Sequence, residues 1–260
     1  MAAAQPPRIA AIVLTFNEAR HISECLDSLR WADDRVVVDS ISTDDTQALA
    51  SAAGAAMVAN PFENYAQQRN FALAHAGAML PPADWVFFLD ADERCSPELA
   101  SELREVATDP SHDVWAVPRH NYLFGKLTLG AGWYPDFQAR FFRVGAADFD
   151  PVREVHEVAR FKGEMGRLRA PLTHFNYEDV AQFHTKQKRY SEYDAGILFK
   201  QGVRPRPWTY FMQPLREFWR RFVTLKGWRD GLHGLHLSAL MAWYRFDQTR
   251  RLARRWREAN

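Results

Sequence analysis

Trp85-Val86-Phe87-Phe88-Leu89-Asp90-Ala91-Asp92-Glu93 is the stretch on which the fold turns. Five apolar residues in a row, rich in aromatics and too short for a helix, read as a strand buried on both faces. Two aspartates one residue apart follow at once. While the chain stays extended they point to the same side, and together they can share one hard divalent cation through oxygen ligands. Such an ion would bridge a pyrophosphate. Acidic residues at strand ends also serve as helix N-caps or solvated turns, so the surroundings have to decide.

Outward from this run, the first hundred residues alternate short apolar stretches with longer ones of helical spacing. Ile9–Leu14, Arg35–Val38, Ala55–Ala59 and Trp85–Leu89 are the expected strands, and the alternation is that of βαβ units in a parallel sheet covered by helices. A first helix is expected over Glu18–Arg30, with Ile22, Cys25, Leu26 and Leu29 on one face. Ser42-Thr43-Asp44-Asp45 resembles a capping box for a second helix. A third should cover Tyr65–Ala78, and a fourth should start at Ser96-Pro97-Glu98, with Ser as N-cap and Pro at the first helical position. The outline is a mononucleotide-binding half-barrel. After Asp113 the strand-like segments Val114–Leu123, Phe137–Arg143 and Leu168–Phe175 suggest antiparallel additions, and His174 within them reads as a core histidine. A helical pattern returns over Asp179–Phe199, and Arg204-Pro205-Arg206-Pro207 breaks it.

An open α/β sheet presents the carboxyl ends of its strands to one crevice. Besides the Asp90/Asp92 end, the first strand finishes in Thr15-Phe16-Asn17-Glu18 and the second in Asp39-Ser40. Carboxylates from separate strands gathered at one edge need a cation or hydrogen-bond donors between them.

These segments carry a resemblance. Val37-Val38-Asp39-Ser40-Ile41-Ser42-Thr43-Asp44-Asp45-Thr46, Phe88–Glu93, Leu14–Glu18 and Gln68-Arg69-Asn70-Phe71-Ala72 resemble family 2 glycosyltransferases of the GT-A fold. They are most similar to the bacterial group that adds a hexose, commonly glucose, to the inner core of lipopolysaccharide. Gly132-Trp133-Tyr134-Pro135-Asp136, Arg140–Arg143, Val155-His156-Glu157, Leu172–Phe175 and Asp230–Leu235 extend the likeness over nearly the whole chain. Ile41 departs from it, standing where the family usually has Gly; its side chain would narrow the crevice or alter the turn, which bears on donor selectivity.

The resemblance implies a mainly parallel sheet with antiparallel additions, flanked by helices, and a metal-dependent, inverting transfer from a nucleotide diphosphate sugar, with UDP-glucose as the expected donor. Asp39 would accept a hydrogen bond from the uracil or ribose, with Thr15, Asn17 and Glu18 framing the same pocket. Asp90 would face ribose or metal, and Asp92 would hold Mg²⁺ or Mn²⁺ against the diphosphate. Arg69 is either a phosphate partner or a surface arginine. Inverting transfer needs a base for the acceptor hydroxyl: Asp136, in an element similar to the family's Trp-x-x-acid, or Glu157. His156 would join the metal, imidazole suiting Mn²⁺ better than Mg²⁺.

With 260 residues, 47% hydrophobic and 25% charged, the composition is that of a folded soluble protein. Its net charge of +1 excludes a strongly basic nucleic-acid binder, yet the total hides a division. Residues 201–260 hold 13 lysines and arginines against 4 aspartates and glutamates, which leaves 20 against 28 in residues 1–200. A catalytic domain over 1–200 and a basic helical extension over 201–260 are therefore expected. That extension carries Trp208, Trp219, Trp228, Trp243 and Trp256 among its arginines, a composition suited to an anionic membrane surface. Packing on the acidic domain or self-association into a homo-oligomer would also use it; binding nucleic acid by stacking is the weakest reading.

Two cysteines, Cys25 and Cys95, form no disulfide or metal-finger framework and suit a reducing compartment. With no signal-peptide pattern and no apolar run long enough to span a bilayer, the expected location is cytoplasmic, peripheral on the inner face of the cytoplasmic membrane, where a lipid-linked saccharide would be the acceptor. Two other classes remain open. A nucleotidyltransferase would carry a Gly-rich phosphate loop after the first strand, and Thr15–Arg20 contains no Gly. A non-catalytic membrane-docking module would need no intact carboxylate set.

Overall fold

The computed structural model describes residues 5–151 and 159–259. In chain order the elements are β1 (Ile9–Thr15), α1 (Ile22–Asp27), β2 (Asp34–Asp39), α2 (Thr46–Ala52), β3 (Ala56–Ala59), α3 (Tyr65–Ala78), β4 (Trp85–Asp90), β5 (Glu93–Arg94), α4 (Pro97–Val106) and β6 (Val114–Leu123). There follow β7 (Lys126–Thr128), β8 (Asp136–Arg143), β9 (Ala147–Phe149), β10 (Ala159–Phe161), β11 (Gly166–Arg167), β12 (Leu172–Tyr177), α5 (Val180–Lys200), α6 (Thr209–Trp219) and α7 (Gly231–Glu258). A π-helical turn over Arg220–Thr224 and a 3₁₀ turn over Gly227–Asp230 join the last two helices.

The chain packs as two units, Met1–Arg119 with Phe137–His174, and His120–Asp136 with Phe175–Asn260. In the first, the main sheet runs β3-β2-β1-β4-β8-β6-β12-β5, and β11 also pairs with β6. β3, β2, β1 and β4 run parallel to one another; β8 pairs antiparallel with β4, and β5 antiparallel with β12. Alternation along the central strands serves two cores, one on each face. Ile9, Ala11, Val13, Trp85, Phe87 and Leu89 enter one; Ala10, Ile12, Val36, Val38, Val86 and Phe88 enter the other. Burial on both faces is why these strands read as unbroken apolar runs.

The helices follow their sequence signals with two exceptions. α4 begins on the expected cap, Ser96 Oγ accepting from Leu99 N at 3.2 Å, and α3 on one not read from the sequence, Asn64 Oδ1 accepting from Gln67 N at 2.9 Å. α1 is shorter than expected, although Ile22, Cys25, Leu26 and Leu29 are fully buried. Ahead of it Glu18 O accepts from His21 N and Ile22 N, both at 3.0 Å, in a turn whose Glu18 and Ala19 amides, without partners inside a helix, donate across to Thr46 Oγ1 (2.8 Å) and Asp44 Oδ2 (3.1 Å). Ser42 is not the cap of α2 either; Asp44 Oδ1 accepts from Thr46 N instead, at 3.1 Å.

The second unit is built on α5 and α7. Leu123, Tyr177, Phe183, Leu237 and Tyr244 form its core, and Glu192 on α5 accepts from Arg251 (2.6 Å) and Arg255 (2.5 Å) on α7. The compact unit thus takes in α5 and the 120–136 segment, rather than beginning at residue 201. Asp230 closes that segment, its carboxylate accepting from Leu129 N (3.1 Å) and Gly130 N (2.7 Å). Arg221 Nη1 donates to Ala131 O at 2.7 Å, and Thr128 Oγ1 lies 3.0 Å from His233 Nε2. Gly234 is required here: a Cβ at this position would stand 1.8 Å from the Gly227 carbonyl oxygen. Truncation after residue 200 is therefore expected to expose Phe183 and Leu123 and release the 128–136 loop. An aggregated or inactive product is the expected outcome, read by size exclusion and UDP release; a monomeric, fully active fragment would contradict it.

Candidate active site

Register brings the strand ends level. Thr15 pairs with Asp39 across β1 and β2, and Leu14 with Asp90 across β1 and β4. The loops after β1 and β2 are then stapled together. Asn17 N donates to Ser42 Oγ and Asn17 Oδ1 accepts from Thr43 N, both at 2.8 Å. Thr15, Asn17, Glu18 and Asp39, expected to share one pocket, lie within this hydrogen-bonded pair of loops.

Asp39 is 1% exposed and its carboxylate is saturated by protein donors. Oδ1 accepts from Thr15 Oγ1 (2.9 Å) and Ser42 Oγ (2.5 Å); Oδ2 accepts from Ser42 N (2.8 Å) and Gln47 Nε2 (2.7 Å). Four bonds use the lone-pair sites a carboxylate offers. Burial alone would raise this carboxyl, but the hydrogen bonds from Ser42, Gln47 and Thr15 outweigh it and hold it below the usual range. Asp39 thus organises the turn, and only the exposed Gln47 amide is placed for a ligand donor to displace.

Ile41 takes φ +64°, with half its surface exposed. A β-branched residue in the left-handed region costs about 1–2 kcal/mol, which is why a Gly suits this turn. Ile41→Gly relieves that strain but raises the entropy of the unfolded chain by about 0.5–1 kcal/mol. The expected net is a gain of about 0.5–1 kcal/mol, visible as a small rise in melting temperature by calorimetry. A fall would show that the Ile41 side chain contributes packing that outweighs its backbone strain.

At the β4 end the two aspartates have separate environments. Asp90 is gripped by Arg140 of β8: Nη1 donates to Oδ1 at 3.1 Å and Nη2 to Oδ2. The same Nη2 donates to Glu93 Oε1 at 2.7 Å, and Arg119 Nη1 approaches that oxygen at 3.4 Å. Arg140 and Glu93 are buried, their side chains 4% and 0% exposed. Burial pushes the Asp90 carboxyl up, but the charge and hydrogen bonds of Arg140, reinforced by Arg69 and His174, hold it far below the carboxylate range. Glu93 is pushed upward by burial, with the Asp90 charge adding. Two carboxylates sharing one guanidinium divide the charge in this way.

Both aspartates keep open side-chain surface, 40% for Asp90 and 31% for Asp92; they differ in partners, Asp92 having His174 Nε2 at 3.5 Å from Oδ2 where Asp90 has the Arg140 guanidinium. His174, read from sequence as a core histidine, is buried, with the acidic cluster beside it. Arg69 is half-buried: its guanidinium lies over the Phe88 and Phe149 rings, at 5.2 and 5.6 Å from their centres, and its charge bears on Asp90. It is therefore part of this cluster and not a free surface arginine. Among the described residues no three His, Cys, Asp or Glu converge to cage a metal. The donor set present, one carboxylate not held by Arg140 beside one imidazole nitrogen, fits a divalent ion whose other ligands come from a diphosphate and water. His156 and Glu157 lie outside the described residues.

In the second unit, Asn121 is fully buried and donates through Nδ2 to Trp133 O (2.8 Å) and Asp136 Oδ2 (3.2 Å). It fixes the orientation of Asp136, a role that its place in a strand did not announce. Arg140 left a faint signal: a charged residue inside the run Asp136-Phe137-Gln138-Ala139-Arg140-Phe141-Phe142 needs a buried carboxylate partner.

Comparison with known proteins follows the same lines. Residues 10–159 match the model of glycosyl transferase family 2. The lipopolysaccharide core biosynthesis glycosyltransferase LpsC of Rhizobium meliloti (strain 1021) is 30% identical over 250 residues, covering 92% of this chain and 89% of that protein. The uncharacterized glycosyltransferase RC0292 of Rickettsia conorii (strain Malish 7) is 28% identical, covering 92% of this chain and 87% of its own. Among solved structures, glucosyl-3-phosphoglycerate synthase from Mycobacterium tuberculosis, in complex with Mn²⁺, UDP and glucosyl-3-phosphoglycerate, is 24% identical over 44% of either chain, with a TM-score of 0.37.

Proposed function

The chain belongs to glycosyl transferase family 2, and on that premise we propose that it moves a glucosyl group, with inversion, from UDP-glucose to a lipid-anchored saccharide of the lipopolysaccharide core. The observation that carries this reading is the near full-length likeness to a lipopolysaccharide core glycosyltransferase, joined to an Asp90-x-Asp92 element at the crevice end of a central parallel strand. No helix of the described residues is long and apolar enough to cross a membrane, which is compatible with work at the inner face of the cytoplasmic membrane.

The loop pair held by Thr15, Asn17, Glu18 and Asp39 would receive the nucleoside, with the base or ribose displacing the Gln47 amide from Asp39. Asp92, with His174 as nitrogen donor, would hold Mg²⁺ or Mn²⁺. The chemistry such an ion supplies is neutralisation of charge on the departing diphosphate. Asp90, locked by Arg140, keeps its negative charge and anchors the loop that presents Asp92. Arg69 adds a cation for the diphosphate. Asp136 takes the proton of the acceptor hydroxyl while its oxygen bonds to the anomeric carbon, and the electron pair of the breaking C–O bond leaves with UDP. Glu157 is the alternative base.

Asp136→Asn keeps size and hydrogen bonding but cannot accept the proton. Its turnover should fall by about 10²–10⁴, with the Kd for UDP-glucose and the melting temperature unchanged; wild-type turnover would move the base to Glu157. The donor itself is tested by calorimetric titration with UDP-glucose, UDP-galactose and a nucleotide-heptose in the presence of Mn²⁺. Saturable binding of UDP-glucose alone is expected, and selective binding of either rival would overturn the donor assignment.

A further inference from the structure

Helix α6 turns a row of large apolar side chains to solvent. Trp208, Phe211, Met212, Leu215 and Trp219 are 56%, 77%, 57%, 60% and 62% exposed. Their spacing of i, i+3, i+4, i+7 and i+11 confines them to one face of the helix. A contiguous aromatic and aliphatic stripe of this kind marks a contact surface.

Beside the stripe, a cleft of about 650 Å³ opens between α5, α6 with the following π-turn, and α7. Trp219, the last residue of the stripe, lines it. Arg216, Arg220, Arg221 and Arg245 also line it, against the carboxylates of Asp194 and Glu217. Glu217 is engaged by Arg220 (2.8 Å) and Arg221 (2.6 Å). Among the described residues, the side chains of Arg216 and Arg245 donate to side-chain amides, those of Gln213 (3.0 Å) and Gln248 (2.6 Å). An amide leaves a guanidinium its full charge, so the cleft keeps two cations for an anion. The π-turn supplies Arg220, Arg221 and Thr224 to the wall; such turns recur at binding sites.

We propose that this face docks on an anionic bilayer, with the α6 stripe entering the headgroup boundary and the arginine cleft taking the phosphate of a membrane lipid. A second copy of the chain fits the surface less well, because a symmetric pairing would bring the same cationic clefts together. Trp256, which donates to Val203 O at 2.7 Å and packs on Phe199, takes no part; Trp208 and Trp219 do. The inference deepens the membrane-face reading above, and hydrolytic release of UDP without vesicles reports on the transferase separately.

The test is flotation of the full chain with phosphatidylcholine vesicles and with vesicles carrying phosphatidylglycerol, at low and high salt. Wild type should float with the anionic vesicles, less so at high salt, and poorly with phosphatidylcholine alone. The pair Phe211→Glu and Leu215→Glu, both on exposed positions, should lower binding to either vesicle more than tenfold. Arg216→Gln with Arg245→Gln should remove the preference for anionic lipid, each cation contributing about fivefold. Both pairs should keep the wild-type melting temperature and UDP release. Wild-type flotation of the glutamate pair, a retained anionic preference in the glutamine pair, or a lipid-free dimer dissolved by the glutamates would each overturn the proposal.

Discussion

Asp92→Asn should lower glucosyl transfer by about 10³ and abolish the dependence of UDP binding on Mn²⁺, while the melting temperature stays within about 2 °C of wild type. The two aspartates of this element are held differently, Asp90 by the Arg140 guanidinium and Asp92 beside the His174 imidazole. Asp92 keeps 31% of its side chain exposed with His174 Nε2 at 3.5 Å, whereas Asp90 is gripped by Arg140, so an amide at Asp92 strands no guanidinium. What is lost is an anionic oxygen able to ligate a hard cation. Titration calorimetry with and without a chelator, alongside thermal melting, separates the two effects. Turnover at the wild-type level would remove Asp92 from the metal, and a large loss of stability would make it structural.

Arg140→Met should do the reverse, destabilising the protein by about 3–5 kcal/mol before any question of activity arises. The guanidinium is 4% exposed and is shared by Asp90 and the fully buried Glu93. Methionine fills much of the volume but removes the guanidinium both carboxylates share, leaving Glu93 the longer contact to Arg119 at 3.4 Å and Asp90 the more distant charge of Arg69. Removing one partner of a buried ion network costs more than the network contributes, because the remaining charge stays desolvated. A drop in melting temperature of roughly 10 °C is expected. Adding Glu93→Gln should return part of it, since one uncompensated charge is then gone. An unchanged melting temperature for Arg140→Met would mean that water reaches the cluster.

The sheet was legible because its strands are buried on both faces. Trp85–Leu89 and Ile9–Leu14 show no alternation to misread, and the polar residues that end them mark the crevice. α3 and α4 were legible for another reason: Ser96 with Pro97 and the long Tyr65–Ala78 pattern are local signals. Where partners lie far apart in sequence, local signals misled. Ser42 looked like a cap, yet its hydroxyl serves Asp39 and Asn17; the expected α1 start is a turn whose Glu18 and Ala19 amides are held by Thr46 and Asp44. His174 carried no mark of its acidic neighbours, which sit some 80 residues earlier. Strands of two or three residues such as β5 and β11 are too short to show a period.

The tail shows the same limit at larger scale. Its positive charge suggested an appendage beginning at residue 201, whereas Asp230, His233 and Arg221 hold the segment that leads to Trp133 and Asp136. Composition recorded the charge of α6 and α7 but not that part of it is used on Glu192, Glu217 and Asp247. The aromatic residues divide likewise, Trp256 packing inward while Trp208 and Trp219 face solvent.

The most direct measurement is the anomeric configuration of the product. The full chain, incubated with UDP-α-glucose, Mn²⁺ and a lipid-anchored core saccharide, should release one UDP for each sugar transferred, and nuclear magnetic resonance of the product should show a new β-glucosidic linkage. An α-linked product would contradict the single displacement that Asp136 is proposed to assist, and UDP release without a glycosylated lipid would contradict transfer itself.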